Sequence, residues 1–197
     1  MHWILQKDFQ NEETDAMLEG ELFGTEVYLP FETGEEFTPP RKKFSLSRSI
    51  ELRFVTDDDS KLGRMTDKLL IYEIPGLIFS NRFVEFLDKM RIDNIQYFEL
   101  EIEITQTGET YDDYMVANLL DVVDCIDKEN SELIYEEGEI DEVDKLVLDE
   151  RRIPANMHLF RLGGLPSLVI VSDDFKKTVE SYGFTGFVFQ DPSEFIL

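Results

Sequence analysis

Two segments of this chain, 92 positions apart, follow the same plan, and few folds accommodate both. Ile78-Phe79-Ser80 and Ile170-Val171-Ser172 are short apolar stretches that end on serine. Apolar residues follow each serine at helical spacing: Phe83, Phe86, Leu87 and Met90 in the first case, Phe175, Val179 and Tyr182 in the second. A serine accepting a backbone amide from the first helical turn is a favoured N-cap. Spacing of three and four puts the apolar residues on one helical face. Asp173 and Asp174 suit the positive end of the second helix, and Gly183 supplies the left-handed residue that closes it. A strand then follows each helix. In the first, Phe98, Leu100, Ile102 and Ile104 alternate with Glu99, Glu101 and Glu103; in the second it runs from Phe184 to Phe189. Ile78, Ser80 and Phe83 match Ile170, Ser172 and Phe175 at one constant offset. The shared order of strand, serine cap, helix and strand fits an internal β-α-β duplication, and equally two separate uses of a common motif.

The rest of the chain reads as strands and turns. Ser49 to Val55 alternates, and Asp57-Asp58-Asp59-Ser60 is a solvated turn without the ligand spacing or glycine of a calcium loop. Further strands are expected at Lys68 to Ile74, Tyr111 to Leu119, Leu133 to Tyr135, Lys145 to Leu148, His158 to Leu162 and Ser167 to Val171. Gly163-Gly164-Leu165-Pro166 forms a hairpin loop between the last two. The fold class is therefore α+β: a mixed, mostly antiparallel sheet with two serine-capped amphipathic helices. At 197 residues the chain is expected to be one domain. Within it, residues 1–40 form an acidic N-terminal lobe with short strands such as Glu26 to Pro30. Residues 41–197, after the break at Pro39-Pro40, form the main body.

Charge narrows the partners. There are 43 Asp plus Glu against 19 Lys plus Arg, a net charge of -24. Such a surface repels the phosphates of nucleic acid and anionic lipid headgroups. It attracts basic surfaces and speeds encounter with them, besides keeping the chain in solution. A single cysteine, Cys125, excludes an internal disulfide and suits a reducing compartment. Neither a secretion signal nor an apolar run of membrane-spanning length is present, so the expected location is the cytoplasm.

Chemistry-bearing patterns are scarce. His2 sits at a terminus that reads as mobile, and His158 opens a strand; the spacing proposes no Ser-His-acid or Cys-His arrangement. Gly163-Gly164 lacks the lysine and the helix of a phosphate loop. Asp121, Asp124 and Asp127 recur every three residues and would share a face on a helix, but Val122, Val123, Cys125 and Ile126 fit a bent strand as well. No metal, cofactor or catalytic residue is assigned. The expectation is a protein that is not an enzyme; an enzyme using an unrecognised carboxylate pair, and a general acidic interaction scaffold, are the alternatives.

Acidic residues cluster twice. From Asp8 to Pro40 there is no Lys or Arg, and Glu32, Glu35 and Glu36 lie beside Tyr28, Phe31 and Phe37. From Glu132 to Glu150 the chain carries Glu136, Glu137, Glu139, Asp141, Glu142 and Asp144 near Tyr135, with Lys145 as the one base. The second cluster reads either as a solvated loop between strands or as a docking surface. Both clusters, with their aromatic neighbours as anchors, are candidate contacts for a basic partner.

The stretches YDDYMVANLLDVVDCIDKENSELIY and KLVLDERRIPANMHLFRLGGLPSLVIVSDDFKKTVESYGFTGFVF resemble the eleventh-numbered family of bacterial immunity proteins from polymorphic toxin systems, formerly a domain of unknown function. The residues that carry the resemblance are Tyr114, Asn118, Asp124, Asp127, Ser131, Leu148, Asp149, Phe160, Arg161, Ser172, Asp173, Thr185 and Gly186. It covers about residues 77 to 190. These positions read as fold determinants and not as a binding site. The resemblance implies a small cytosolic antidote, encoded beside a toxin and blocking it by direct contact. With the net charge, it points to a toxin with a basic surface, a nuclease or a nucleotide-using enzyme.

Overall fold

In a computed structural model of the chain, Ser80 and Ser172 each accept a backbone amide three residues on, from Phe83 and Phe175, both at 3.2 Å. They cap helices α1 (Asn81–Lys89) and α2 (Asp173–Tyr182), as the sequence predicts. Residues 1–6, 15–23, 33–35, 51–57, 60–71, 74 and 76–197 are described. In chain order the strands are β1 (His2–Gln6), β2 (Met17–Leu18), β3 (Gly20–Phe23), β4 (Glu51–Thr56), β5 (Lys68–Ile71), β6 (Leu77–Ser80), β7 (Ile95–Ile104) and β8 (Glu109–Leu119), then β9 (Val122–Val123), β10 (Glu132–Glu136), β11 (Glu139–Lys145), β12 (Leu159–Leu162), β13 (Leu165–Ser172) and β14 (Val188–Gln190). The class is α+β: among the described strands, β9 with β12, β2 with β5 and β4 with β7 pair in parallel, and the other pairings are antiparallel.

Two compact units emerge, one of residues 8–119 and one of 1–7 with 120–197. The 8–119 unit holds a seven-stranded sheet in the order β2-β5-β6-β8-β7-β4-β3. One sheet face packs Leu52, Phe54, Leu69, Ile78, Leu100, Ile102 and Val116 into a core. The other faces α1, where Phe79 meets Phe83 with ring centroids 4.9 Å apart. The second unit holds a five-stranded sheet, β14-β1-β13-β12-β9, and the hairpin β10-β11. Its core joins Ile4, Cys125, Ile126, Val143, Leu146, Phe160, Leu162 and Ile170. Burial pushes the Cys125 thiol up to about 12, so it stays protonated.

The sheets repeat each other strand for strand. Read from one end, β9-β12-β13-β1-β14 matches β2-β5-β6-β8-β7, with the same parallel and antiparallel senses throughout. The registers agree as well. Met17 pairs Leu70 as Val122 pairs Arg161, and Lys68 pairs Phe79 as Leu159 pairs Val171. Val116 faces Ile78 and Phe98, while Ile4 faces Ile170 and Gln190, so the 92-residue offset holds from Ile78 to Phe98. Both helices end on a left-handed residue at the same offset, Arg91 (φ 58°) and Gly183 (φ 66°). The duplication suggested by the sequence is thus present as a structural repeat. In each, two parallel strands joined through a helix flank one antiparallel strand. That middle strand is β8 in one unit and the N-terminal β1 in the other.

Several expectations are corrected. The N-terminus is not a loose end at His2: β1 is ordered between β14 and β13 because Ile4 and Leu5 fill the interior. Residues 139–145 form strand β11 and not a loop, whereas Lys145 to Leu148 contributes only the end of β11 and an isolated bridge from Leu148 to Ile126. Phe184 to Phe187 precede β14 instead of lying in it.

Candidate docking surface

The acidic cluster is a hairpin, and a two-residue turn sets its register. Glu137 (φ 53°) and Gly138 (φ 95°) both take positive φ, as a type I′ turn requires, and Gly138 suits its position. Leu133 then opposes Val143 and Tyr135 opposes Ile140 on one face. Toward the base this is the inner face, where Val143 is fully buried and Leu133 and Ile140 pack against the core; Tyr135, next to the turn, is 48% exposed. The outer face pairs Glu132 with Lys145, Ile134 with Glu142, and Glu136 with Glu139. Asp141 and Asp144 sit where the register shifts, exposed between the two sets.

Backbone and side-chain hydrogen bonds at the hairpin base hold it in place. The Asp127 amide donates to Val147 O at 2.8 Å, Asp149 N to Cys125 O at 2.7 Å, and Val147 N to Ser131 Oγ at 2.9 Å. Asp127 accepts from the amides of Glu129 and Asn130 and from the Asn130 side chain, and that last bond leads in holding its carboxyl below the usual value. Asp149 is held below it chiefly by its hydrogen bond from Arg151. The other resemblance residues are likewise built into the fold. Tyr114 donates to Thr66 O at 2.9 Å, buried Arg161 to Pro166 O at 2.8 Å, and Gly186 takes φ 83°.

The outer face presents carboxylates around one apolar residue. Ile134 is 47% exposed between Glu132 and Glu136, opposite Glu142. Glu136 and Glu139 face each other directly, a like-charge pairing that costs stability unless a cation is supplied. None of Glu132, Glu136, Glu137, Glu139, Asp141, Glu142 or Asp144 forms an ion pair with a described residue. Asp67, Asp149 and Asp173, by contrast, are each bound by Arg or Lys. An open recess of about 510 Å³ at the tip is lined by Glu136, Glu137, Glu139, Ile140 and Asp141.

The structure brings the predicted Glu136, Glu137, Glu139, Asp141, Glu142, Asp144 and Tyr135 onto this one hairpin. Ile134 and Glu132, which the sequence reading did not single out, are exposed on the same hairpin. Of the N-terminal candidates, Glu35 is exposed, with its carbonyl accepting from buried Asn118 at 2.8 Å. Tyr28, Phe31, Glu32, Glu36 and Phe37 lie outside the described residues.

Two further arrangements bear on chemistry. His158 Nδ1 lies 2.8 Å from Ser172 Oγ, a pair the sequence spacing did not suggest. Its counterpart in the other repeat is Ser80 donating to Asp67 at 2.8 Å, and the same backbone bond ties each pair: Ser80 N to Asp67 O, Ser172 N to His158 O. In both repeats the residue before the strand braces the helix cap, so the pair belongs to the cap. Among the described residues, no group of three His, Cys, Asp or Glu is placed to hold a metal ion, and no helix is long and apolar enough to cross a membrane.

The sequence matches the Imm11 immunity protein family over residues 4–194. No curated protein matches the chain.

Proposed function

Because the chain belongs to the Imm11 immunity protein family, matched over nearly its whole length, we propose that it neutralises a cognate bacterial toxin by direct contact, with the β10–β11 hairpin as a docking element. The carrying observation is the outer hairpin face: exposed Ile134 among carboxylates that form no ion pair with a described residue, with Lys145 opposite Glu132 as the one base of the hairpin. Such a face fits a basic surface. Charge complementarity speeds encounter, and a desolvated apolar anchor slows departure. A nuclease or a nucleotide-using toxin carries a basic cleft for phosphate, and an acidic hairpin covering it would occlude the substrate. Exposed Glu35 marks a second proposed contact region, together with Tyr28, Phe31, Glu32, Glu36 and Phe37. The reading is of a cytoplasmic binding protein with no catalytic step.

The test is co-expression with the toxin domain encoded in the adjacent reading frame. Cells expressing both should grow, and the two chains should co-purify as a one-to-one complex. Toxicity undiminished by this chain, with no complex formed, would refute the reading.

A further inference from the structure

The hairpin leaves one long sheet edge open. β11 has β10 on one side; on the other, Val143 exchanges hydrogen bonds with Leu197 at 3.2 and 3.0 Å. β10 has a neighbour on one side only, and no backbone group of Glu132–Glu136 bonds to another element among the described residues. The remaining sheet-end strands are shorter: β2 and β9 have 2 residues, β14 has 3 and β3 has 4. Unpaired amides and carbonyls along an exposed strand are a template for another strand.

Charge selects the occupant. The outer face of β10 reads acid, apolar, acid through Glu132, Ile134 and Glu136. A second copy of this chain would set those glutamates against their own kind, between molecules of net charge -24. An added strand with Lys or Arg at positions i and i+4 and an apolar residue at i+2, all on one face, would set cations beside Glu132 and Glu136 and an apolar side chain beside Ile134. Cross-strand opposite charges and apolar pairs both stabilise a ladder.

We infer that β10 receives an extended strand of the partner toxin, added at its outer edge, whose side chains on the Ile134 face alternate basic and apolar. This rests on the immunity reading and names the element by which the toxin is held. Main-chain bonds would supply affinity and the alternating side chains specificity. One short added strand falls below the roughly 1,600 Å² of a stable interface, so the outer face with Glu139 and Glu142 joins the contact.

The experiment uses the isotope-labelled full chain and a short blocked peptide of the pattern Lys-Thr-Val-Thr-Lys, in which lysine and valine alternate along one face. Two controls accompany it: a block peptide of the same composition, and the alternating peptide N-methylated along one edge. The controls keep the charge, but the first loses the alternation and the second loses pairing on one side. Supporting results are slowed exchange at alternate amides of Glu132–Glu136, and binding at least about tenfold weaker for both controls. Equal binding by all three peptides, no slowed amide in β10, or β10-mediated dimerisation would overturn the inference. Measuring the same amides in the complex with the adjacent-frame toxin domain separates the two readings. A stable complex that leaves every β10 amide exchanging freely sinks strand addition alone; absence of any complex sinks the immunity reading and strand addition with it.

Discussion

Replacing Glu132, Glu136, Glu139 and Glu142 by glutamine removes the outer carboxylate ring and leaves the hairpin its shape. In water a unit charge roughly 8 Å from a cation contributes about 0.5 kcal/mol, so four contribute about 2 kcal/mol, or roughly 30-fold in association rate at low salt. At 0.15 M salt the screening length is about 8 Å, which leaves about a third of that energy and roughly a fourfold effect. Folding stability should change by no more than about 0.5 kcal/mol. The change relieves the Glu136–Glu139 repulsion and loses the Glu132–Lys145 attraction, both on an exposed face. Stopped-flow association with the adjacent-frame toxin domain, run from low to physiological salt, checks the rate. Urea unfolding checks the fold. An unchanged low-salt association rate in a folded variant would refute the electrostatic argument and leave the charge to solubility.

Phe83→Ala and Phe175→Ala, both at fully buried positions, should each cost about 3–5 kcal/mol by denaturant unfolding; losses below about 1 kcal/mol at both would contradict the packing of the two helices. Ser80→Ala and Ser172→Ala should each cost about 1 kcal/mol, as lost N-caps. A tenfold-tighter reaction of Ser172 than of Ser80 with a fluorophosphonate probe would instead mark the His158 pair as a nucleophile. Asp127, Asp149 and Asp173 titrate below the usual carboxylate value in the fold, held there by Asn130, Arg151 and Lys177 respectively. Their contribution is therefore present above the unfolded-state value and lost as pH falls through the depressed ones. The urea midpoint should drop on acidification below that value, and a midpoint that rises there would be inconsistent with these bonds.

Local chemistry made the two helices legible. A serine and an apolar stripe act within a dozen positions: the structure keeps both caps and buries Phe83, Phe86, Leu87, Phe175 and Val179. Gly183 closes α2 in the left-handed region, whereas Tyr182, expected in the buried stripe, is 66% exposed at the end of the helix. What stayed hidden depends on distant partners. His2–Gln6 has no local signal of order, because its place is set by β13 and β14, which lie more than 150 positions along the chain. β11 was hidden by composition: its glutamates and aspartates have poor strand propensity, and only buried Val143 and half-buried Ile140 hold it in. The exposure of Ile134 was hidden by its neighbours. In Leu133-Ile134-Tyr135 three apolar residues adjoin, and only the cross-strand pairing decides that Leu133 packs inward while Ile134 and Tyr135 are exposed.

The repeat explains why this hairpin is free to serve as a docking element. Each unit inserts two antiparallel strands at the same point, β3–β4 between β2 and β5, and β10–β11 between β9 and β12. In the first unit β7 runs on to Ile104, and β4 pairs with it from Glu51 to Val55 against Glu99 to Glu103, so the insert joins the sheet. The equivalent stretch of the second unit begins at Asp191-Pro192. Proline has no amide to donate, and Asp191 accepts the Ser193 amide at 2.9 Å to start a tight turn, so β14 stops at Gln190. β11 is left with a single bridge, Val143 to Leu197, in place of a five-residue ladder. The same insertion that closes one sheet therefore stands off the other as a two-stranded arm. Its inner face is anchored by Leu133, Ile140 and Val143; its outer face is exposed, and β10 has no second neighbour among the described strands.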